Sequence, residues 1–126
     1  MILGLGTDIV DLVKLQKMHE KFGEKLLRRI LTDSEAEYCM KHKNPYPHIG
    51  GRFAVKESVI KAMSACLDKS FTIKDVEVEN LESGKPTVRF HNGALKTYSH
   101  LEADMSVTIA HTRKYATATA ILETWE

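Results

Sequence analysis

The sequence predicts an α+β fold, with an N-terminal strand and helices packed on a mainly antiparallel sheet. Two observations carry this prediction: helical periodicity fills most of the first half of the chain, and two-residue alternation dominates the second half. Turn residues separate the alternating segments and indicate hairpins. A chain of 126 residues can bury one core of its own, so we expect a single domain over residues 1–126.

The composition excludes several classes of protein. Apolar residues make up 43% and charged residues 28% of the chain, which is typical of globular proteins and not of disordered or collagen-like chains. A net charge of +1 gives no indication of a nucleic-acid partner. We expect no membrane span and no signal peptide, because a long apolar run and a basic N-terminal region are both missing. Cys39 and Cys66 form no metal or redox motif and indicate reduced thiols in the cytoplasm.

The first thirty residues predict one strand followed by helix. Met1–Gly6 is apolar and is predicted as a buried strand, with Thr7 and Asp8 at its end. Over residues 9–30, apolar side chains recur at steps of three and four, which predicts an amphipathic helix that Gly23 divides in two. The apolar positions of this face are Leu15, Met18, Phe22, Leu26 and Ile30.

Two further helices are predicted before the sheet. Thr32–Glu35 has the spacing of a capping box and starts a helix that extends to about His42. Asn44–Pro47 is predicted as a loop, because its two prolines oppose helix. A longer helix is expected over residues 48–67. Its apolar positions are Ile49, Phe53, Ile60, Met63 and Leu67.

The second half of the chain predicts strands. Val76 and Val78 alternate with glutamates and form a hairpin with residues 87–90, across a turn at residues 82–86. A second turn is expected at residues 91–93. The remaining predicted elements are a short helix over 94–101, a strand over 105–110, a turn at 111–114 and a strand over 115–122.

Asp8 is the first residue with a possible chemical role. A carboxylate directly after an apolar strand lies at the end of a sheet, where ligands commonly bind. The alternative is that Asp8 is the N-cap of the helix that follows.

The segment 50–62 carries a second set of charged residues. Arg52 and Lys56 are one helical turn apart, as are Glu57 and Lys61. Cations beside a carboxylate suit a phosphate group held by a divalent metal ion. Lys56 also falls between Phe53 and Ile60, where the helical pattern expects an apolar residue. The alternative is a solvated helix face with a Glu–Lys pair worth about 0.3–0.5 kcal/mol.

Three other features allow both a functional and an ordinary interpretation. His111 ends an apolar strand and could contact a phosphate, or it could be a turn residue. Gly84, Lys85 and Pro86 do not form a phosphate-binding Walker loop and are typical of a hairpin turn. A basic stripe recurs beside the apolar face of the first helical segment, and such a stripe is commonly a solvated surface. Its residues are Lys14, Lys17, Lys21, Lys25 and Arg28.

Three motifs in order resemble one known family. They are Gly4–Val10, then Gly51–Glu57 continuing to Lys61 and Ala62, and finally Ser106–His111 with Tyr115 and Ala116. Their order and spacing, and the length of the chain, are similar to holo-acyl carrier protein synthase, the short bacterial type of 4′-phosphopantetheinyl transferase. The resemblance covers nearly the whole chain and implies the fold of that family.

The resemblance implies a reaction and a set of site residues. Members of the family transfer phosphopantetheine from coenzyme A to a serine hydroxyl of an acyl carrier protein and release adenosine 3′,5′-bisphosphate. Asp8 and Glu57 match the Mg²⁺ carboxylates, and Lys61 matches a lysine beside the phosphates. The residues that match coenzyme A contacts are Arg52, Lys56, Lys61, Gly84, Lys85, Pro86 and His111.

The same resemblance implies partners. The family is typically a homotrimer with active sites shared between neighbouring subunits. Because acyl carrier proteins are acidic, the basic stripe becomes a hypothetical docking face. Asp8, Glu57 or a metal-bound water could accept the serine proton, and the sequence does not choose among them. Ser64 and Ala110 depart from the family pattern, which has glycine and serine there.

Two other function classes compete with this prediction. A non-catalytic module could bind coenzyme A or a carrier protein without turnover, although a binding module does not need paired metal carboxylates. A structural protein could use the basic stripe to hold an acidic partner, but polar residues on the apolar side of the 48–67 helix disfavour it.

Overall fold

The structure is a computed structural model, and it describes residues 1–64 and 71–125. Five helices and five strands alternate in blocks along these residues, with a short 3₁₀ turn at Ile73–Asp75 before the second strand. The first block comprises β1 (Ile2–Asp11), α1 (Leu12–Phe22), α2 (Glu24–Ile30), α3 (Asp33–Met40) and α4 (Tyr46–Ser64). The second block comprises β2 (Val76–Asn80), β3 (Pro86–Phe90), α5 (Asn92–Tyr98), β4 (Ala103–His111) and β5 (Tyr115–Thr124).

The strands form two antiparallel sheets, which confirms the predicted fold class. The larger sheet has the order β1-β5-β4, so the last strand in chain order lies at its centre. β2 and β3 form the predicted hairpin as a separate two-stranded sheet. Among the described residues, no helix is long and apolar enough to cross a membrane.

Helix α4 packs on the inner face of the larger sheet and forms the centre of the core. Ile49, Val55, Val59 and Met63 have no exposed surface. The facing positions of β5 are alanines at 116, 118 and 120, and all three are buried. Small side chains on the strand let a helix approach closely, which explains a β-strand rich in alanine.

The first strand is longer than the sequence predicts, and only one of its faces is buried. β1 continues to Asp11, so Asp8 lies within the strand and not at its end. Leu5 and Ile9 are more than half exposed, which corrects the expectation of a fully buried strand. The N-cap of α1 is Asp11, whose carboxylate accepts from the backbone of Val13 and Lys14.

The helix boundaries agree with the prediction in most places. Gly23 divides α1 from α2 at a positive φ of 59°, and Thr32 with Glu35 forms a complete capping box at the start of α3. α1 begins three residues later than predicted. α4 begins at Tyr46, so Pro47 lies in its first turn, where a backbone N–H has no helical partner and proline is tolerated. The predicted apolar position Leu67 lies outside the described residues.

Candidate active site

Asp8 and Lys61 form an ion pair between the larger sheet and α4. The Lys61 Nζ lies 3.2 Å from Asp8 Oδ1 and donates to the backbone carbonyl of Thr7 at 2.9 Å. Lys61 is about half exposed, whereas the Asp8 side chain is 21% exposed. The pair therefore lies at the surface, where a ligand can reach both charges.

Two glycines allow the strand that carries Asp8 to lie directly against α4. A Cβ atom on Gly4 would lie 1.8 Å from the carbonyl oxygen of Ala62, and one on Gly6 would lie 1.9 Å from that of Ser58. No side chain fits at these positions without displacement of the backbone. Asp8 follows on the same face of the strand, because side chains alternate with a period of two. The glycines thus place its carboxylate at the helix.

Glu57 lies one helical turn before Lys61 and is half-buried. Residues four apart on a helix lie side by side, so Glu57 and the Asp8–Lys61 pair share one edge of α4. Within residues 1–64 and 71–125, no donor pairs with the Glu57 carboxylate. It borders an apolar groove of about 370 Å³ between α1, α2 and α4, with Phe53 and Arg29 in the lining.

The donor set at this edge fits Mg²⁺. In the described part of the chain, no three His, Cys, Asp or Glu side chains come together as a metal cluster. Asp8 and Glu57 are the carboxylates that the predicted site brings to this edge of α4. Mg²⁺ is usually held by one or two carboxylates and completes its shell with water and substrate phosphates.

Arg52 lies on another side of α4. Five residues separate it from Glu57, which corresponds to about 140° around the helix axis. The residue is 4% exposed, and its guanidinium donates from Nη2 to Asn80 Oδ1 at 2.7 Å and lies 4.0 Å from the centre of the Tyr38 ring. Its Nε–H is buried and has no acceptor among the described residues. A buried donor without a partner is costly, and a ligand oxygen would satisfy it.

The predicted turn residues Gly84, Lys85 and Pro86 are connected to Arg52. Asn80 Nδ2 donates to the Gly84 carbonyl at 3.0 Å, while its Oδ1 accepts from Arg52. Gly84 adopts a φ of 89°, which glycine favours in a hairpin turn. The structure thus joins two of the predicted coenzyme A elements through one side chain.

His111 lies at the exposed end of β4, near His48. Burial, together with His42, Arg52 and His111, lowers the pKa of His48 below its usual range. The His48 ring stacks on His42 with 3.5 Å between ring centres. His111 and Arg52 therefore both lie near His48.

Lys56 has an interior position. Its ammonium has no exposed surface, donates to the Ile30 carbonyl at 2.9 Å and forms an ion pair with buried Glu35. Glu35 Oε1 also accepts from the backbone of Thr32, and its Oε2 accepts from the backbone of Val78 at 2.7 Å. The ammonium therefore has its partners inside the protein. The expectation that Lys56 contacts coenzyme A does not agree with this buried position.

Every residue of the basic stripe is exposed. These residues are Lys14, Lys17, Lys21, Lys25 and Arg28. Met18 and Phe22 lie among them and are about half exposed, although the helical pattern predicts them as core positions. The surface of α1 therefore combines positive charge with accessible apolar side chains.

Sequence reasoning missed Asn80, Tyr38 and Glu35 as site-related residues. Glu35 was identified only as a capping residue, because its second role depends on a lysine 21 positions away. Asn80 ends an alternating strand, and Tyr38 lies on a short helix, so neither position carries a local signal. Only the packing of α3 and β2 against α4 reveals their contacts with Arg52.

The comparisons with known proteins agree with this geometry. The family model of the 4′-phosphopantetheinyl transferase superfamily matches residues 4–120. A holo-[acyl-carrier-protein] synthase of Yersinia pestis is 42% identical over 97% of this chain and 98% of its own length. One of Thermodesulfovibrio yellowstonii is 38% identical over 97% of this chain and 99% of its own.

Solved structures of the same family superpose on the fold. The Bacillus anthracis synthase, solved in complex with CoA (3′,5′-ADP), has a TM-score of 0.79 and 32% identity, covering 98% of both chains. The Neisseria meningitidis synthase has a TM-score of 0.85 and 26% identity, covering 98% of this chain and 100% of its own. The chain therefore belongs to the 4′-phosphopantetheinyl transferase superfamily and is an enzyme of its holo-acyl carrier protein synthase family.

Proposed function

We propose that the protein transfers 4′-phosphopantetheine from coenzyme A to a serine hydroxyl of an apo-acyl carrier protein, in a Mg²⁺-dependent reaction that releases adenosine 3′,5′-bisphosphate. The observation that supports this proposal most directly is the ion pair between Asp8 and Lys61, one helical turn from Glu57. This arrangement occurs in a chain whose holo-[acyl-carrier-protein] synthase relatives match it over nearly their full length.

Asp8 and Glu57 would hold the metal ion, which supplies positive charge to the pyrophosphate of coenzyme A. Lys61 lies beside them and neutralises charge on the phosphoryl group that is attacked. The serine oxygen forms a bond to the phosphorus that bears pantetheine, and the bond from that phosphorus to the leaving bisphosphate breaks. The serine proton passes to a base at the Asp8–Glu57 edge.

Arg52 and the Gly84–Pro86 turn contact the nucleotide part of coenzyme A in this proposal, and His111 contributes positive charge nearby. The buried Nε–H of Arg52 supports this role, because a phosphate oxygen would give it the acceptor that it lacks. We assign Lys56 a structural role instead, since its ammonium already has two internal partners.

Arg52 and Glu57 lie about 140° apart around the axis of α4. We therefore propose that one ligand contacts Arg52 of one subunit and Glu57 of a neighbouring subunit. The functional unit in our proposal is a homotrimer with shared sites. The outer face of the larger sheet supports an assembly, because Leu5 and Ile9 expose more than half of their surface there.

Carrier proteins would dock on the basic stripe of α1 and α2, where exposed lysines surround the accessible side chains of Met18 and Phe22. We place the reaction in the cytoplasm. Cys39 is a free buried thiol, as expected of a cysteine in a reducing compartment, and burial raises its pKa to about 11, which makes it unreactive.

The experiment that tests this function is the intact mass of an apo-acyl carrier protein after incubation with this protein, coenzyme A and Mg²⁺. We expect a gain of one phosphopantetheine group that EDTA and Glu57→Gln both abolish. Glu82→Gln is the matched control, since Glu82 is an exposed residue of the hairpin turn. Folded protein that modifies no carrier from several pathways would contradict the proposal, and coenzyme A binding without transfer would identify a binding module.

A further inference from the structure

Asn80 is the one described side chain that contacts both Arg52 and the hairpin turn. It is the last residue of β2, where the strand ends beside α4. Its Oδ1 accepts from Arg52 Nη2 at 2.7 Å, and its Nδ2 donates to the Gly84 carbonyl at 3.0 Å. Both ends of one amide are therefore used, one by a buried cation and the other by an exposed turn.

The orientation of the Arg52 guanidinium depends on two neighbours. The Tyr38 ring lies 4.0 Å from the guanidinium carbon, and Asn80 fixes the Nη2 end. Together these residues line a cavity of about 390 Å³. The ring contact restrains the plane of the guanidinium, and the hydrogen bond to Asn80 holds its Nη2 end within that plane. Because Nη2 and Nε belong to the same rigid planar group, Asn80 also helps to set the direction of the unpartnered Nε–H.

We propose that Asn80 is a positioning residue for coenzyme A, and this inference rests on the proposed function. Its amide holds the Arg52 guanidinium in the orientation in which Nε–H is left for a phosphate oxygen, and it holds the Gly84 turn at a fixed distance from that group. An amide suits both tasks because it carries an acceptor and a donor. An alanine or serine side chain at this position cannot reach both partners.

The first test is the effect of Asn80→Ala on steady-state kinetics. We expect the KM for coenzyme A to rise about tenfold, because a displaced Arg52 guanidinium would lose about one charge-assisted hydrogen bond to a phosphate oxygen. The kcat and the KM for the carrier protein should change less than about twofold, because Asn80 does not contact the reacting atoms in our proposal. Glu82→Gln, two residues further along the same hairpin, is the control. Asn80→Ser serves the same purpose if the alanine variant fails to fold.

The second test asks whether Asn80 acts through Arg52. Arg52→Lys keeps the positive charge but removes the Nη2 donor. In the Arg52→Lys background, Asn80→Ala should raise the coenzyme A dissociation constant by a clearly smaller factor than in the wild type, because only its contact with the Gly84 turn is left to remove. The proposal would be overturned if the fold-changes in the coenzyme A dissociation constant of the two single variants multiply in the double variant. An unchanged KM for coenzyme A in folded Asn80→Ala protein would also overturn it.

Calorimetry with coenzyme A alone separates this inference from the proposed function. Wild-type protein that binds coenzyme A but modifies no carrier would contradict the transfer reaction, while weaker binding by Asn80→Ala would still support the role of Asn80. Transfer by the wild type together with equal coenzyme A affinity in Asn80→Ala would contradict the inference alone.

Discussion

At the scale of single residues, the buried pair of Glu35 and Lys56 ties α4 to the elements packed around it. Lys56 directly precedes Glu57, and Glu35 holds the backbone of Val78, two residues before Asn80. One carboxylate thus connects the edge that carries the predicted metal ligands to the strand that orients Arg52. Glu35 of α3 reaches α4 through Lys56 and β2 through Val78, and Lys56 in turn donates to the Ile30 carbonyl of α2.

Lys56→Met should lower the free energy of unfolding by about 3–5 kcal/mol, because it leaves the Glu35 carboxylate buried without its cation. Urea unfolding at neutral pH measures the loss. Lys85→Met, at an exposed lysine of the hairpin turn, should change stability by less than about 0.5 kcal/mol. Equal stability of the two variants would show that Glu35 does not need Lys56.

Glu77 makes the stability of the protein depend on pH. Burial alone would raise the pKa of this carboxyl, but hydrogen bonds from Ser34, Thr32 and His91 outweigh burial and lower the pKa to about 2. The ionised form is therefore favoured by folding. The resulting stabilisation is present above the ordinary pKa of 4.5 and is lost as the pH falls towards 2.

We expect Glu77→Gln to be less stable than the wild type at pH 7 by a few kcal/mol, with the difference shrinking between pH 4.5 and pH 2. Chemical unfolding across this range measures the difference. Glu82→Gln should follow the wild-type curve, because Glu82 lies exposed in a turn. A constant difference at all pH values would exclude the titration of Glu77 as its cause.

At the scale of elements, the contact between β1 and α4 places Asp8 beside Lys61. The sequence predicts this helix and this strand, and it identifies Asp8, Glu57 and Lys61 through the family motifs. It does not predict that the strand continues beyond Asp8, because Thr7–Asp11 contains polar residues that usually mark the end of a strand. It also does not predict the interior position of Lys56, since the partner carboxylate lies on a different helix.

Gly6→Ala should destabilise the protein by about 3 kcal/mol, because its Cβ would meet the carbonyl oxygen of Ser58. Thermal unfolding measures the effect, and the loss of phosphopantetheine transfer should exceed that expected from the unfolded fraction, since Asp8 moves with the strand. Gly93→Ala is the control, because no atom lies within 4 Å of its added Cβ. A Gly6→Ala protein with wild-type stability would contradict the close approach.

The basic stripe on α1 and α2 should act on the carrier protein and not on coenzyme A. Lys17→Glu combined with Lys21→Glu should raise the KM for the carrier roughly tenfold or more, with a strong dependence on salt, because charge complementarity governs the encounter. The KM for coenzyme A should stay nearly constant. Initial rates at varied concentrations of each substrate test this prediction, and an unchanged carrier KM would exclude α1 as the docking face.

At the scale of the whole molecule, the site residues divide into two groups on different sides of α4. Asp8, Glu57 and Lys61 form one group, and Arg52 forms the other with the Gly84–Pro86 turn. The motifs predict the members of both groups but not their separation, because the angle between them depends on the helix axis and on the strands that cover it. A shared site between subunits would reunite the two groups.

Mixed trimers test this arrangement. Arg52→Met and Glu57→Gln should each be inactive alone, whereas trimers co-assembled from equal amounts should recover about a quarter of the wild-type sites, if Arg52 and Glu57 of one site come from different subunits. Phosphopantetheine transfer by the co-expressed, co-purified variants measures the recovery. Circular dichroism shows whether each variant is folded, and inactive mixtures of folded variants would indicate that each site uses a single subunit.

The strand order β1-β5-β4 has a consequence for the synthesis of the protein. β1 is made first, yet within the described chain its only strand partner is β5, which is made last. A growing chain therefore carries Leu5 and Ile9 on an unpaired strand until Tyr115–Thr124 has emerged. Strand pairings between such distant segments form slowly, and until they form the unpaired strand edges are exposed and prone to aggregation. Nascent chains that stop before residue 115 should consequently aggregate or require a chaperone, although all the predicted catalytic residues are already present in them.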